Sequence, residues 1–542
     1  MPYESLKQTL RFLVIEIESQ IKLTAKLLES RDEQLLEKIA AKDDYVDNLK
    51  AILEKECFCR INEDETVPAD TLNELRAVHI MAVNLERIGD FCVNIGKQAG
   101  YMSSMDMVHR LRYGDMIAPI LETLCMVTPA FLSKDLSAAL RICRIEYHLD
   151  QMFKERFHEA MGALREAGRP EDLVTAIFIV RYLERIGDAL LNIGEALLLV
   201  INGEKLKLEQ YETLQEALSR SHWHAGVPDL ELSAILGSRS GCRISRIKPK
   251  HGNEQPGIFK EGNRKKIQQE HENLRRWETI QPGLVPKIFS YLENNGSAAM
   301  IVEYISGITL EEILLNAKAE ILHVCLLALK ETIGQIWRKT LQKGTYATDY
   351  MEQLQSRLEG VRQVHPDYYR KEAEAETEGA WSTPSLLKAC IAIEKEIPAP
   401  TQVFIHGDFN TNNIFYEVDG KAIRYIDLYR SRFADYIQDA SVFLVSNYRL
   451  PVFDLILRAR LNSVMDDFLR FFRDFALEIE DKAFDARMTL ALARSFYTST
   501  RFELNAEFSR NMFHKAHFLM ESVVSHQGSW ASFKIPLKIL EY

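Results

Sequence analysis

Apolar residues recur at helical spacing from the start of the chain. Leu6, Leu10, Leu13, Ile17, Ile21 and Leu28 fall on one face, with Thr24 the polar member of that series. The same spacing predicts helix throughout residues 3–202. A helix begins at Pro68 after an exposed turn with Glu63, Asp64 and Glu65. Breaks are expected at Gly100, Ser103 and Ser104, and again across 168–170. Inside this region LERIGDFCVNIG (85–96) returns as LERIGDALLNIG (183–194). A weaker echo precedes each copy, DDYVD at 43–47 and EYHLD at 146–150. The order in each half predicts a duplicated three-helix bundle.

Glu86, Asp90 and Asn94 are four apart, as are Glu184, Asp188 and Asn192, so each set forms a polar stripe along a helix. Glycines 89, 96, 187 and 194 lie inside these helices, where each costs about 1 kcal/mol relative to alanine. Their recurrence in both copies points to close approach of another backbone or a ligand. The competing reading of the stripes is a solvated or ion-paired face, with Arg87 and Arg185 at hand as partners.

The pattern changes after residue 203. A charged, turn-rich stretch carries His222 and His224, which lack acidic or cysteine partners at ligand spacing and read as linker residues. From Leu232 the apolar positions fall into short strands. The small-residue loop 237–241 joins two of them, and a strand ends in Lys260. An amphipathic helix over 263–280 follows, carrying Glu270 and Glu272. A Lys–Glu pair linking strand and helix holds the lysine toward nucleotide phosphates. Glu270 is preferred, because Leu274 shares its face whereas Glu272 has Arg276. The run 298–302 predicts a buried strand, and Glu303 to Ile305 after it has the form of an interlobe hinge whose backbone reads an adenine edge. Beyond Leu310 the chain is mainly helical. The Glu- and Ala-rich 368–380 predicts exposed helix or loop, and Phe468, Phe471, Phe472 and Phe475 predict core or groove wall.

The exception is 403–439. An apolar run ends in His406-Gly407-Asp408, Asn413 follows, and two strand-like runs flank Asp419-Gly420, the dipeptide of a type I′ turn. That register sets Val418 against Lys421 and Asn413 against Ile426, so Asp427 comes beside Asn413. A carboxylate, an amide oxygen and a second carboxylate gather at one end of a hairpin, and such hard oxygens suit Mg²⁺. Phosphoryl transfer needs phosphate positioning, metal and an aspartate near the attacking hydroxyl. Lys260 with Glu270 supplies the first, Asn413 and Asp427 the second, and Asp408 the third. His406, at the end of a buried run, is expected to brace the loop rather than act as base.

Length and composition set bounds. At 542 residues the chain predicts about two to four domains. We place them at 1–215, a linker at 216–230, and 231–542. A formal charge of −11 argues against a general nucleic-acid binder. Eight scattered cysteines without metal spacing predict reduced thiols. The acidic, amphipathic N-terminus does not read as a signal peptide, and the longest apolar run, 196–201, is too short to span a bilayer. A cytoplasmic, non-membrane-spanning protein is expected.

Two resemblances carry these readings further. The doubled LERIGD…NIG region, over roughly 1–215, resembles PhoU-type phosphate-transport regulators. That resemblance implies acidic motifs binding iron or zinc at Asp43, Asp47, Glu86 and Asp90, and at Glu146, Asp150, Glu184 and Asp188, where Glu146 stands for the family's aspartate. It also implies a phosphate transporter or its sensor kinase as partner. HGDFNTNN with IDLYRSRFADYIQD, over roughly 230–540, resembles the aminoglycoside phosphotransferase/choline kinase group of the protein-kinase-like fold. His406, Gly407, Asp408 and Asn413 meet the first family pattern. Ile426, Asp427, Asp435 and Asp439 meet the second, with Ala434 in place of its glycine. This implies an α+β two-lobed kinase-like domain using ATP and Mg²⁺ on a hydroxyl acceptor. Glu303 and Ile305 would lie at the adenine, and Asp435 and Asp439 would fix loops. Aminoglycosides, choline, sugars, homoserine and protein side chains all stay open as acceptors. The competing function is a nucleotide-sensing phosphate-signalling adaptor with little turnover.

Overall fold

The computed structural model describes the chain except residues 1, 64–66, 165–169, 222, 224, 236–241, 252–254, 295, 369–380 and 542. The expectations for Asp64 and Glu65, for 168–169, for His222 and His224, for the 237–241 loop and for 369–380 therefore lie outside the described residues. The chain forms two compact units, Met1–Glu261 and Gly262–Tyr542.

The first unit begins with eight helices: α1 (Pro2–Ser30), α2 (Glu33–Glu63), α3 (Ala69–Tyr101), α4 (Asp106–Arg110), α5 (Gly114–Ser133), α6 (Leu136–Ala163), α7 (Pro170–Asn202) and α8 (Leu208–Ser219). The repeat corresponds to α1–α3 and α5–α7, with α4 and α8 as additions. The apolar series from Leu6 to Leu28 is buried, and Thr24 is buried with it because its hydroxyl donates to the Gln20 carbonyl at 2.9 Å. α3 and α7 run antiparallel with their LERIGD motifs near the crossing. Asn192 Nδ2 donates to Asn84 Oδ1 at 3.1 Å, and the Phe91 and Tyr182 rings meet at 6.1 Å. Of the repeated glycines, Gly194 meets a backbone closely as expected, whereas Gly89 and Gly96 face side chains instead. A Cβ on Gly194 would stand 2.8 Å from the Cys143 backbone nitrogen, and one on Gly96 would stand 2.6 Å from the Leu36 side chain.

α5 is long and apolar enough to cross a membrane by length and composition. Here Met116, Ile120, Leu124 and Val127 bury one of its faces within the bundle. The unit ends in β1 (Leu230–Ala234), β2 (Arg243–Pro249) and the strand β3 (Gly257–Asn263), in which the division between units falls. β1 pairs antiparallel with β2, and β2 with β3, placing Lys260 opposite Ile244. All eight cysteines are free thiols.

The second unit opens with α9 (Arg264–Ile280), capped by the Asn263 side chain on the Lys265 N–H. An antiparallel pair follows, β4 (Ile288–Glu293) and β5 (Ser297–Glu303), then β6 (Ile308–Thr309), α10 (Leu310–Asn316) and α11 (Ala319–Thr340). Next come β7 (Gln342–Tyr346), α12 (Tyr350–Gln355), α13 (Leu358–Val364), α14 (Thr383–Glu396) and β8 (Ala399–Ile405). The hairpin β9 (Ile414–Glu417) and β10 (Ala422–Tyr425) leads to β11 (Arg432–Ala434). The rest is helical: α15 (Ile437–Tyr448), α16 (Leu455–Glu478), α17 (Phe484–Ser499) and α18 (Ala506–Val524). β8 lies between β7 and β11, and β9 between β10 and β6. The α16 aromatics are core. Phe468, Phe472 and Phe475 are buried, and Trp337 of α11 packs against Phe472 at 5.7 Å and Phe475 at 5.0 Å.

Candidate active site

β8 is apolar along its end because Val403, Phe404 and Ile405 are all buried, and it delivers the chain to His406 at the edge of that core. Gly407 must be glycine. Its φ is 84°, and a Cβ would stand 2.3 Å from the Arg430 carbonyl oxygen. Asp439, buried on α15, accepts the backbone N–H groups of His406 and Gly407 at 2.7 and 2.8 Å. Burial pushes its carboxyl up to about 7, although those two donors favour the charged form.

His406 is the second brace. Its Nδ1 accepts the Asp408 N–H at 3.3 Å, so Nε2 carries the proton and donates to the Ile426 carbonyl at 2.9 Å. Burial lowers its pKa from the ordinary 6.5, against the pull of Asp408 and Asp427. A ring used at both nitrogens is not placed as a general base.

The hairpin keeps the expected register. Ala422 faces Glu417, Tyr425 faces Ile414, and the Ile426 N–H donates to the Asn413 carbonyl at 3.0 Å. The turn differs from expectation. Four residues, 418–421, form the loop, the Lys421 N–H reaches the Val418 carbonyl at 3.4 Å, and Lys421 rather than Gly420 takes positive φ, 48°. Asp419-Gly420 therefore sits in a right-handed turn closed by a left-handed lysine, and the pairing beyond it is unchanged.

Asn413 ends the short turn Thr411–Asn413 and is buried. Its Nδ2 donates to the Asp408 carbonyl at 2.9 Å, which leaves its amide oxygen as an acceptor. Asp427 follows β10 with φ 60°, a conformation that aspartate tolerates better than most residues. The amide oxygen of Asn413 and the carboxylate of Asp427 are a hard-oxygen pair that fits Mg²⁺. Asp408 is half-buried. Its Oδ1 accepts from Asn410 Nδ2 at 2.7 Å, and its Oδ2 lies 3.3 Å from the Arg430 guanidinium.

The segment after Asp427 is held from α9. Asn273 Nδ2 donates to the carbonyls of Leu428 at 2.7 Å and Ser431 at 3.1 Å, and Trp277 Nε1 donates to Ser431 Oγ at 2.9 Å. Glu270 is buried on the same face of α9. Glu272 is exposed and takes a hydrogen bond from Gln268, as the choice between the two glutamates expects. Lys260 is buried in β3 of the first unit.

Glu303 ends β5, and its N–H donates to the Lys287 carbonyl at 2.9 Å. Its carboxylate pairs with Arg424 at 2.8 Å, and Arg424 also reaches Glu417 at 3.1 Å, so the hinge-like strand end is tied to the hairpin. Ile305, two residues on, is buried. Asp435 is buried against Arg487 of α17 at 2.9 Å, and Arg487 also pairs with Asp481.

Sequence reasoning missed Arg430, Arg424, Arg487 and the Asn273/Trp277 brace. The brace had a signal, since Asn273 and Trp277 are four apart on the face of Glu270. Arg487 had one as well, as one of few charges, with Asp485, at the start of an otherwise apolar helix.

The acidic stripes of the first unit do not form a cage. Among the described residues no group of three or more His, Cys, Asp or Glu side chains is placed to hold a metal ion, so the structure lends no support to the expectation of iron or zinc there. Other partners take these carboxylates. Glu86 pairs with Lys50 at 3.2 Å, Asp150 with Lys154 at 2.6 Å and Glu184 with Arg181 at 2.8 Å, while Gln20 donates to Asp43 at 3.3 Å. The partners are thus Lys50 and Arg181, not Arg87 and Arg185. Burial first, then neighbouring carboxylates, raise Asp43, Glu86, Glu146 and Glu184 above their ordinary values. Asp47, Asp90 and Asp188 are among the neighbouring carboxylates that act on these groups.

Comparison with known proteins agrees with this division. The model of the PhoU domain matches residues 15–99 and 114–197, and that of the Phosphotransferase enzyme family matches 257–472. The phosphate-specific transport system accessory protein PhoU homolog of Clostridium acetobutylicum is 26% identical over 196 residues, 35% of this chain and 88% of the relative. That of Caulobacter vibrioides is 28% identical over 195 residues, 35% of this chain and 83% of the relative. The crystal structure of PhoU from Pseudomonas aeruginosa has a TM-score of 0.35 at 21% identity, covering 38% of this chain and 98% of its own. An aminoglycoside-3'-phosphotransferase of type VIII has 0.32 at 17%, covering 54% and 98%. The chain thus carries a PhoU domain followed by a domain of the phosphotransferase enzyme family.

Proposed function

We propose that the second domain is an ATP- and Mg²⁺-dependent phosphotransferase acting on the hydroxyl of a small molecule, and that the PhoU domain regulates it in response to phosphate status in the cytoplasm. The observation that carries this reading is the arrangement at the β9–β10 hairpin. There Asp408 ends a doubly braced loop, Asn413 holds the Asp408 carbonyl, and Asp427 sits in strained backbone beside them.

In the proposed step the acceptor oxygen bonds to the γ-phosphorus as the bond to the β–γ bridging oxygen breaks. The hydroxyl proton passes to Asp408 and ADP leaves. Asn413 and Asp427 would hold Mg²⁺, which neutralises charge developing on the phosphate oxygens. Phosphate contact by Lys260, its orientation by Glu270, and adenine contacts by the Glu303 carbonyl and Ile305 N–H belong to the same proposal. A phosphate transporter or its sensor kinase is the proposed partner of the first domain.

The second reading, a nucleotide-sensing adaptor with little turnover, is favoured by one contact, the Arg430 pair that occupies the Asp408 carboxylate. Purified Asp408→Ala and Asp427→Ala variants should fold and bind nucleotide. Asp408→Ala should lose about 10²–10⁴-fold in ATP-dependent phosphorylation across an acceptor panel. Unchanged turnover in Asp427→Ala would remove that residue as the metal ligand. Nucleotide binding without turnover in the wild type would decide for the adaptor.

A further inference from the structure

The surroundings of Asp408 hold more positive charge than the transfer step uses. Arg430 already stands 3.3 Å from its carboxylate. Two more arginines within reach of its charge come from separate elements, Arg357 just before α13 and Arg494 on α17. Arg501, on the 3-10 turn after α17 with its guanidinium 4.3 Å from the centre of the Phe502 ring, crowds Arg357. α13 is fixed against that turn by His365 Nε2 at 2.8 Å from the Thr500 carbonyl oxygen.

Arg494 is only 4% exposed. Its Nη2 reaches Ser441 Oγ at 3.4 Å, and its guanidinium lies 5.6 Å from the centre of the Tyr350 ring. Its Nε and the Tyr350 hydroxyl are both buried and have no hydrogen-bond partner among the described residues. The acids whose fields reach it are Asp349, Asp408 and the buried Asp439. Asp408 already faces Arg430, Asp349 faces Arg432 at 3.6 Å, and Asp439 accepts two backbone N–H groups. Burial and then Arg357 push Arg494 down to about 10, while burial and then Arg430 and Arg501 lower Arg357. Buried or crowded guanidinium groups without carboxylate partners are costly unless an anion completes them, and their planar fork matches phosphate oxygens.

We propose that the acceptor carries a phosphate group, seated on Arg357, Arg494 and Arg501, with its hydroxyl presented to Asp408. The substrate would be a small phosphorylated alcohol, and a cationic aminoglycoside would meet charge of the wrong sign. This rests on the phosphotransferase reading and narrows its acceptor.

The test titrates full-length protein with inorganic phosphate at saturating Mg²⁺ and the non-hydrolysable ATP analogue AMP-PNP. A turnover arm compares small alcohols with their own phosphate monoesters. The wild type should bind phosphate and turn over the monoesters at least tenfold better in kcat/KM. Arg357→Gln and Arg501→Gln should each weaken phosphate at least tenfold and erase the monoester preference, with AMP-PNP affinity unchanged as the control for folding. These two side chains are half-exposed, so they keep the test alive if Arg494→Gln fails to fold.

Equal phosphate binding in all variants would overturn the proposal, as would a preference for the unphosphorylated alcohols. Displacement of phosphate by AMP-PNP would also overturn it, because the arginines would then serve the nucleotide's terminal phosphate. Absence of AMP-PNP binding to the wild type would bring down the phosphotransferase reading itself, and this proposal with it.

Discussion

At the scale of single residues, the loop at Asp408 is held in place by groups that never touch a substrate in the proposed step. His406 illustrates this through pH. Its folded pKa is lowered, so the stability it contributes is fully present above 6.5 and is lost as pH falls toward the folded value. The gap in unfolding free energy between wild type and His406→Gln should therefore narrow below pH 6.5 in urea titrations. A constant gap would mean that the ring braces nothing by its neutral form. The raised carboxyl of Asp439 acts in the opposite sense, its contribution fading as pH rises toward about 7, and it is common to both proteins. Gly407→Ala should cost about 2–4 kcal/mol, since it adds left-handed strain to a collision with the Arg430 carbonyl. Denaturant midpoints would measure it. Asp408, Asn413 and Asp427 were legible in the sequence because their spacing is local and their chemistry narrow. Arg430 was not, because an exposed arginine in YRSR looks like any solvated charge until the fold brings it to a carboxylate.

At the scale of elements, buried ion pairs locate the segments around the site. Arg487 is fully buried, and through Asp435 and Asp481 it joins α17 to the start of α15 and to the turn after α16. Arg487→Met leaves two buried carboxylates without their cation and should cost about 3–5 kcal/mol. Replacing all three by apolar residues of similar volume should restore most of that loss, and thermal unfolding of both variants would show it. The hairpin shows what pattern can and cannot give. Its register followed from alternation and from where the turn must fall, whereas the turn's handedness depended on Lys421, a residue with no turn signature. The acidic stripes meet a related limit. Period four shows that carboxylates share a face, and the i,i+3 spacing on α7 already offers Arg181 to Glu184, but it cannot show that Lys50 on α2 comes to meet Glu86 on α3.

At the scale of the molecule, the internal repeat was the clearest signal in the chain, because self-similarity needs no knowledge of long-range contacts. Of the glycines inside it, Gly194 has the close backbone neighbour that their recurrence suggested, while Gly89 and Gly96 make room for side chains. Gly194→Val should wedge α6 from α7 at a cost of about 1–3 kcal/mol. Hydrogen exchange should then quicken in those two helices and stay unchanged over 399–448. Quickening everywhere would mean that the helical unit has no stability of its own. The duplication is not a perfect echo, however. Asn94 and Asn192 hold the same place in their copies, yet Asn192 donates to Asn84, and the place matching Asn84 in the other copy belongs to Tyr182. An amide bond of this kind has a direction, with one partner giving the hydrogen and the other taking it, so no exact dyad can relate the two halves. Identical letters have parted in role since the copies arose, and a consensus averaged across the repeat would erase a hydrogen bond that joins α3 to α7.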